Sequence, residues 1–264
     1  MAIVNVTPDS FSDGGRHFSL DKALDHARAC LAEGADILDI GGESTRPGAA
    51  PVSPAEEQDR VLPVIENLAR ETDALISIDT YRAETARLAL AAGAHIINDV
   101  YGLQKEPEIA HVAAATGAGL CIMHTGRGRE RLADVIADQF DYLERSLAIA
   151  VAGGVARETI VIDPGFGFAK ETVEENMALM ARCDELLALG YPLLVGTSRK
   201  RFLGTLTGRD AGERDAATAT TTALLRLKGA SVFRVHNVAI NRDALAITDA
   251  MIAAQRESAK GQAR

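Results

Sequence analysis

The chain has 264 residues, 47% of them hydrophobic and 25% charged, with a net charge of −9. This composition excludes a disordered or collagen-like chain, and no apolar run reaches the roughly 18 residues that a membrane span needs. An acidic chain with no tryptophan, 4% aromatic residues and no basic tract argues against nucleic acid as a partner.

The start, MAIVNVTPDS, has neither a basic segment nor a long apolar one, so no signal peptide is read there. Cys30, Cys121 and Cys183 are widely spaced, which fits a reduced cytoplasm better than a disulfide framework. Each is read as a small buried hydrophobe.

Short apolar runs alternate with amphipathic segments along the whole chain. The first strand is predicted at Ala2–Val6, and Leu24, Ala27 and Leu31 form the stripe of the helix after it. A second strand follows at Ile37–Ile40. Ser53-Pro54-Ala55-Glu56 then reads as a capping box with proline at the first helical position, ahead of a stripe at Val61, Ile65 and Leu68. Strands three to five are predicted at Leu75–Ile78, His95–Asn98 and Leu120–Met123, and the sixth at Ile160–Ile162. A second capping box, Thr172 with Glu175, opens a helix carrying Leu179, Cys183, Leu186 and Leu187. The last two strands are Leu193–Val195 and Val232–Val235, and ESAKGQAR reads as a loose tail. Gly34, Gly93, Gly190 and Gly229 stand where a helix would end in a left-handed cap.

Eight β–α repeats without a linker suit either an open doubly wound sheet or a closed (β/α)₈ TIM barrel. No G-x-G-x-x-G follows the first strand, so the barrel is favoured, as one α/β domain over residues 1–257 with a tail at 258–264.

Chemistry in such a barrel sits at the C-terminal ends of the strands. Asp79, Asn98 and Asp163 are short acceptors at the ends of strands three, four and six, suited to a ligand with an amidine-like edge. Arg46, Lys200, Arg234 and His236 gather cationic groups at the same rim, which suggests a phosphate or diphosphate. The plainer reading is that an Asp or Asn at a strand end caps the next helix, and Thr80 or Asp99 fits that role. His17, His26 and His111 read as surface or core residues, and His95 as facing the bottom of the barrel. A zinc site from His124, His236 and Asp163 lacks any supporting H-x-H or H-E-x-x-H spacing. Lys200 as a Schiff-base lysine is disfavoured because it lies on a Gly-Thr-Ser-Arg turn, outside apolar surroundings. The capping reading leaves the gathering of polar groups on one rim unexplained, and with it two long Gly/Ser/Pro loops after strands one and two.

IVNVTPDSFSDGG at 3–15, GGESTRPGA at 41–49, SIDTYRAE at 77–84 and IINDV at 96–100 resemble the dihydropteroate synthase family. So do DPGFGFAK at 163–170, GTSRK at 196–200 and FRVHNV at 233–238, and the resemblance runs through the chain in order. It implies a pterin-binding barrel of folate biosynthesis, a homodimer and a sulfonamide target. The reaction condenses 6-hydroxymethyl-7,8-dihydropterin diphosphate with 4-aminobenzoate to give 7,8-dihydropteroate and diphosphate. By motif, Asp79, Asn98, Asp163 and Lys200 would hold the pterin, with Met123 packed near it. Arg234 would stack on the pterin and join His236, Asn5 and Arg46 at the diphosphate. Asp79, Lys200, Arg234 and His236 would carry the catalysis. Phe11, Pro47, Phe168 and Ser198 would line the aminobenzoate pocket. Magnesium (Mg2+) is expected at Asn5, with Asp9 or Asp13. The alternatives are a pterin-binding methyltransferase of similar fold and a non-catalytic pterin-binding homologue. The first would need neither the TPDSFSDGG loop nor the SRK lysine, and the second would show degraded motifs.

The sequence also departs from the family. Ala2 and Asn237 stand where Gly and Asp are expected, and Thr125–Arg129 replaces a Met-Gln-Gly segment after His124. The chain begins almost at the first strand, so an N-terminal hairpin is expected to be missing.

Overall fold

A computed structural model describes residues 1–6, 16–44 and 50–262. Parallel strands β1 (Ala2–Asn5), β2 (Ile37–Gly41), β3 (Leu75–Asp79), β4 (Ile96–Asp99), β5 (Gly119–Met123) and β6 (Ile160–Asp163) hydrogen-bond in sequential order. Strands β7 (Leu194–Val195) and β8 (Val232–Phe233) form a second parallel pair. Bridges between Ile162 and Leu193 and between Ala2 and Val235 join the two sheets. The bond from Ile3 N to Val235 O, at 3.0 Å, helps close the ring. The result is an eight-stranded parallel barrel, as expected.

The strands are wrapped by α1 (Arg16–Ala32), α2 (Pro54–Glu71), α3 (Ala83–Ala91), α4 (Glu108–Thr116), α5 (Val135–Ala152), α6 (Val173–Ala181), α7 (Arg201–Thr207), α8 (Asp215–Leu227) and α9 (Val238–Gln262). Val61, Ile65 and Leu68 of α2 are fully buried, as their spacing predicts. Ser53 caps α2 by accepting from Glu56 N, but Glu56 pairs with Arg60 instead of reaching back, so only half of that capping box forms. The Thr172–Glu175 box is complete. The helix it opens is shorter than expected: α6 gives way to a 3₁₀ turn over Cys183–Leu189, which leaves Leu187 exposed. Gly34, Gly93, Gly190 and Gly229 all take positive φ at their helix ends. The segment read as a loose tail, 258–264, continues α9 as far as Gln262, because its Ala, Lys and Gln residues favour helix over a single internal glycine.

Register sorts the strand residues onto two faces. Leu38, Ile40, Ile76, Ile78, Ile97, Leu120, Ile122, Ile160 and Ile162 belong to the apolar core between strands and helices. The alternate residues, including Asn5, Asp39, Asp79, Asn98, Cys121, Met123 and Asp163, point to the barrel axis. All three cysteines are buried and free, and Cys121 is the one inside the barrel.

Candidate active site

Asn5, Gly41, Asp79 and Asn98 stand at one level on β1 to β4, each in register with the next. A Cβ on Gly41 would lie 3.6 Å from Asn5 Oδ1 and 3.7 Å from Asp79 Oδ2, so glycine keeps space between these groups. Met123 and Asp163 are paired one step higher, on β5 and β6.

Arg234, just beyond β8, crosses the mouth. Its Nε donates to Asp39 Oδ2 at 2.5 Å and its Nη2 to Asp79 Oδ2 at 2.6 Å. Asn98 Nδ2 also donates to Asp39 Oδ2, at 3.2 Å. Burial raises the Asp79 pKa to about 7 against the pull of Arg234, with Asp39 adding to the rise. Burial would lower the Arg234 pKa, but Asp39 and Asp79 more than offset it and the guanidinium is held charged. Asp39 is a site residue that sequence reasoning missed. It lies in mid-strand rather than at a strand end, and its only signal is a carboxylate inside the apolar run ILDIG. Its Oδ1 is buried with no hydrogen-bond partner among the described residues.

On the other side of the mouth, burial raises the Asp163 pKa while Lys200 and the Gly165 N–H draw it down. Asp163 Oδ1 accepts from Gly165 N at 2.7 Å. Lys200 donates to Phe166 O, and its ammonium lies 4.8 Å from the centre of the Phe168 ring. Burial lowers its pKa to about 8, which corrects the expectation that this lysine sits clear of a burying environment. The turn it stands on folds its stem back over the mouth, so the ammonium loses water. Arg127, from the loop that departs from the family pattern, covers the Phe168 ring at 4.6 Å.

Ser198 Oγ accepts from His236 N at 3.1 Å and lies 2.9 Å from His236 Nδ1. An oxygen already accepting from a backbone N–H can turn its own proton toward Nδ1, which leaves the imidazole proton on Nε2.

The described residues thus bring together Asp79, Asn98, Met123, Asp163, Lys200, Arg234, Phe168, Ser198 and His236. Phe11, Arg46, Pro47, Asp9 and Asp13 lie outside the described residues. Neither Thr80 nor Asp99 caps the next helix, since Arg82 and Pro107 stand at the starts of α3 and α4 without a side-chain cap. Instead each braces the turn after its strand, Asp99 accepting from Tyr101 N and Leu103 N at 2.8 and 2.7 Å and Thr80 from Arg82 N. His95, at the bottom of β4, accepts from Ile76 N. His124 does not turn toward Asp163 and His236; it faces α5, where Asp138 takes its Nε2 at 3.0 Å. Among the described residues no group of three His, Cys, Asp or Glu is arranged to hold a metal ion.

Residues 1–236 match the family model described as "Pterin binding enzyme". The chain is 48% identical over 238 residues to the dihydropteroate synthase of Bacillus subtilis, covering 90% of this chain and 83% of that one. A Clostridium difficile dihydropteroate synthase solved in the presence of pteroic acid superposes with a TM-score of 0.92 at 45% identity, over 95% of both chains. This chain belongs to the dihydropteroate synthase family. A Xanthomonas albilineans dihydropteroate synthase solved with 4-aminobenzoic acid gives a TM-score of 0.91 at 43% identity, over 96% of this chain and 92% of that one. That membership decides against the pterin-binding methyltransferase.

Proposed function

We propose that this chain joins 6-hydroxymethyl-7,8-dihydropterin diphosphate to 4-aminobenzoate, forming 7,8-dihydropteroate and releasing diphosphate. The observation that carries the reading is the mouth itself. Acceptors from β3, β4 and β6 face cations from beyond β7 and β8 across one opening.

Asp163 accepts the 2-amino and N3–H edge of the pterin, with Asn98 beside it as donor and acceptor. Met123 packs against the ring, and Arg234, fixed by Asp39 and Asp79, offers its guanidinium plane to it. Lys200 completes this pocket. In the reaction the bond from the pterin methylene to the diphosphate oxygen breaks and a bond to the aminobenzoate nitrogen forms, with loss of one amine proton. Charge leaves with diphosphate, so donors belong there: His236 through Nε2–H, Asn5, Arg234 and Arg46. Asp79 stabilises the positive charge that develops on the pterin. Phe168 and Ser198, with Phe11 and Pro47, hold the aminobenzoate. No protein nucleophile is needed, because the attacking amine is a substrate.

Asn5 Oδ1, at the rim beside Asp79, is an oxygen donor suited to a hard cation. A bound Mg2+ at Asn5, with Asp9 or Asp13, would neutralise the departing diphosphate. No helix among the described residues is long and apolar enough to cross a membrane, and the three free, buried cysteines fit a reducing cytoplasm. Exposed Leu224, Leu227, Ile247 and Met251 on the packed pair α8 and α9 favour a homodimer.

A diphosphate-release assay tests the reading. Diphosphate and dihydropteroate should form in equal amounts when 4-aminobenzoate is present. A folded protein that forms no dihydropteroate from the two substrates and Mg2+ would sink it.

A further inference from the structure

The DPGFGFAK segment gives Asp163 and Phe168 to the proposed site, yet it ends in Lys170, which has no part in the reaction above. Lys170 is only 3% exposed. Its ammonium donates to Gly165 O and His124 Nδ1, both at 3.0 Å, and meets Phe168 O at 3.5 Å. An ammonium has three donors and no acceptor, so these three acceptors match its capacity. His124 is fully buried, and burial lowers its pKa to about 4, so the ring is neutral near pH 7. With Nδ1 accepting from Lys170 the ring proton falls to Nε2, which lies 3.0 Å from Asp138 Oδ2 as its acceptor and 2.9 Å from Arg129 Nη2. Asp138 is gripped in turn by Arg129, at 2.6 and 2.8 Å, and by Leu132 N at 2.8 Å. Burial would raise this carboxyl, but the bonds from His124 and Arg129 hold it well below the usual range.

That buried chain ends on a loop whose backbone is held by side chains as well as by backbone bonds from Phe168 N to Gly165 O at 3.1 Å and from Gly126 N to Phe168 O at 3.4 Å. Pro164 O accepts from Gln139 Nε2 at 3.0 Å, Gly165 O from Lys170, and Phe166 O from Lys200. Gly165 has φ +63°, and a Cβ there would come within 2.0 Å of His124 O, so only glycine fits. The same Gly165 donates its N–H to Asp163. Lys170 therefore holds the carbonyl of the residue whose amide orients the pterin-facing carboxylate, and it reaches the carbonyl of Phe168 as well.

We infer that Lys170 is a positioning residue for the reaction. Held by His124 Nδ1, it sets the 164–169 loop so that Asp163 meets the pterin edge and Phe168 stays on the aminobenzoate side. This rests on the assignment of Asp163 and Phe168 above. Burial and then Lys200 lower the lysine's pKa to about 7, with Asp163 and Asp138 opposing and Arg131 adding. A neutral amine still has two N–H donors, enough for both 3.0 Å bonds, so the grip survives either protonation state.

Three variants of the full chain test it, alongside Asp163→Asn. Lys170→Met removes the donors. His124→Gln keeps a group near Nε2 for Asp138 but takes the acceptor away from Lys170. His124→Asn keeps an acceptor near Nδ1 while losing Asp138. For folded Lys170→Met and His124→Gln, the Kd for the pterin diphosphate and the KM for 4-aminobenzoate should both rise about tenfold or more, as expected when reacting groups are misplaced. His124→Asn should stay within about twofold, since its acceptor is retained. A role confined to stability would lower the melting temperature and leave Kd and KM of the folded protein unchanged, and that result overturns the inference. So does equal loss in His124→Gln and His124→Asn. If Lys170→Met does not fold, the two His124 variants decide, because both keep the ammonium. If Asp163→Asn itself binds the pterin diphosphate normally, the site assignment has failed instead.

Discussion

The two faces of the barrel strands have opposite characters. The outward residues, such as Ile40, Ile78 and Ile122, are apolar, fully buried and in contact with helices. The inward residues at the mouth are Asp39, Asp79, Asn98 and Asp163, met by Arg234 and Lys200. On the outer face each side chain contributes area, and a neighbour can adjust to its loss. On the inner face each charge is tolerated because another is present, so removing one strands the rest. Fold stability and ligand chemistry are thus separated by the strand's two-residue period.

Arg234→Met should break the inner face most severely. It leaves Asp39 and Asp79 buried without their cation, and breaking a buried pair costs about 3–5 kcal/mol. Urea unfolding should show that loss, and calorimetry should show pterin diphosphate binding lost with it. An outer-face truncation, Ile78→Val, should cost about 1 kcal/mol and leave both KM values unchanged. If Ile78→Val moved a KM value, or Arg234→Met were as mild as Ile78→Val, the two faces would not be independent.

A smaller effect, read through pH, separates the faces again. Burial raises Asp79 from 3.8 to about 7, so between those values the folded protein holds a proton that the unfolded chain releases. Its contribution to stability is full below the lower value and is lost as pH rises through the upper one. Activity should run the other way, because the charged carboxylate is the form that stabilises the pterin cation. Over that range, urea midpoints of the native protein should fall relative to those of Asp79→Asn, while native kcat/KM rises. Parallel midpoint profiles for the two proteins would contradict the assignment.

How much of this was legible follows the same division. The outer face announces itself as short apolar runs, so all eight strands were found within a residue or two. The rim residues were legible because a polar group ending an apolar run stands out at a strand end. Asp39 was not, because an inward carboxylate in mid-strand looks like an interruption of the run until its partner, Arg234, is seen 2.5 Å away. The Lys170–His124–Asp138 chain was hidden for another reason: its members are 46 and 14 residues apart and carry no shared spacing. Ends of helices were the least legible: α9 runs on through exposed residues by intrinsic propensity, and α6 ends at Arg182 with no glycine or proline to mark the break.

The smallest expected effect lies at the rim, where Ser198 has two competing roles. By motif it lines the aminobenzoate pocket. By geometry it accepts from His236 N and faces Nδ1, a contact that suits the Nε2–H form proposed above to meet the diphosphate. Ser198→Ala removes both contacts, and losing one modest hydrogen bond costs about 1 kcal/mol, or roughly fivefold in affinity. If orienting His236 is the main role, the pterin diphosphate should bind about fivefold more weakly, while the hydroxymethyl pterin without diphosphate binds normally. The KM for 4-aminobenzoate, measured at saturating pterin diphosphate, should then stay near the native value. If the pocket role dominates, the KM rises and the diphosphate affinity stands still. We expect the first outcome, because a hydroxyl that accepts from one side and donates to the other has its geometry fixed by His236. Calorimetry with the two pterins would separate the roles, and equal affinity for both in Ser198→Ala and native protein would remove the serine from the diphosphate site.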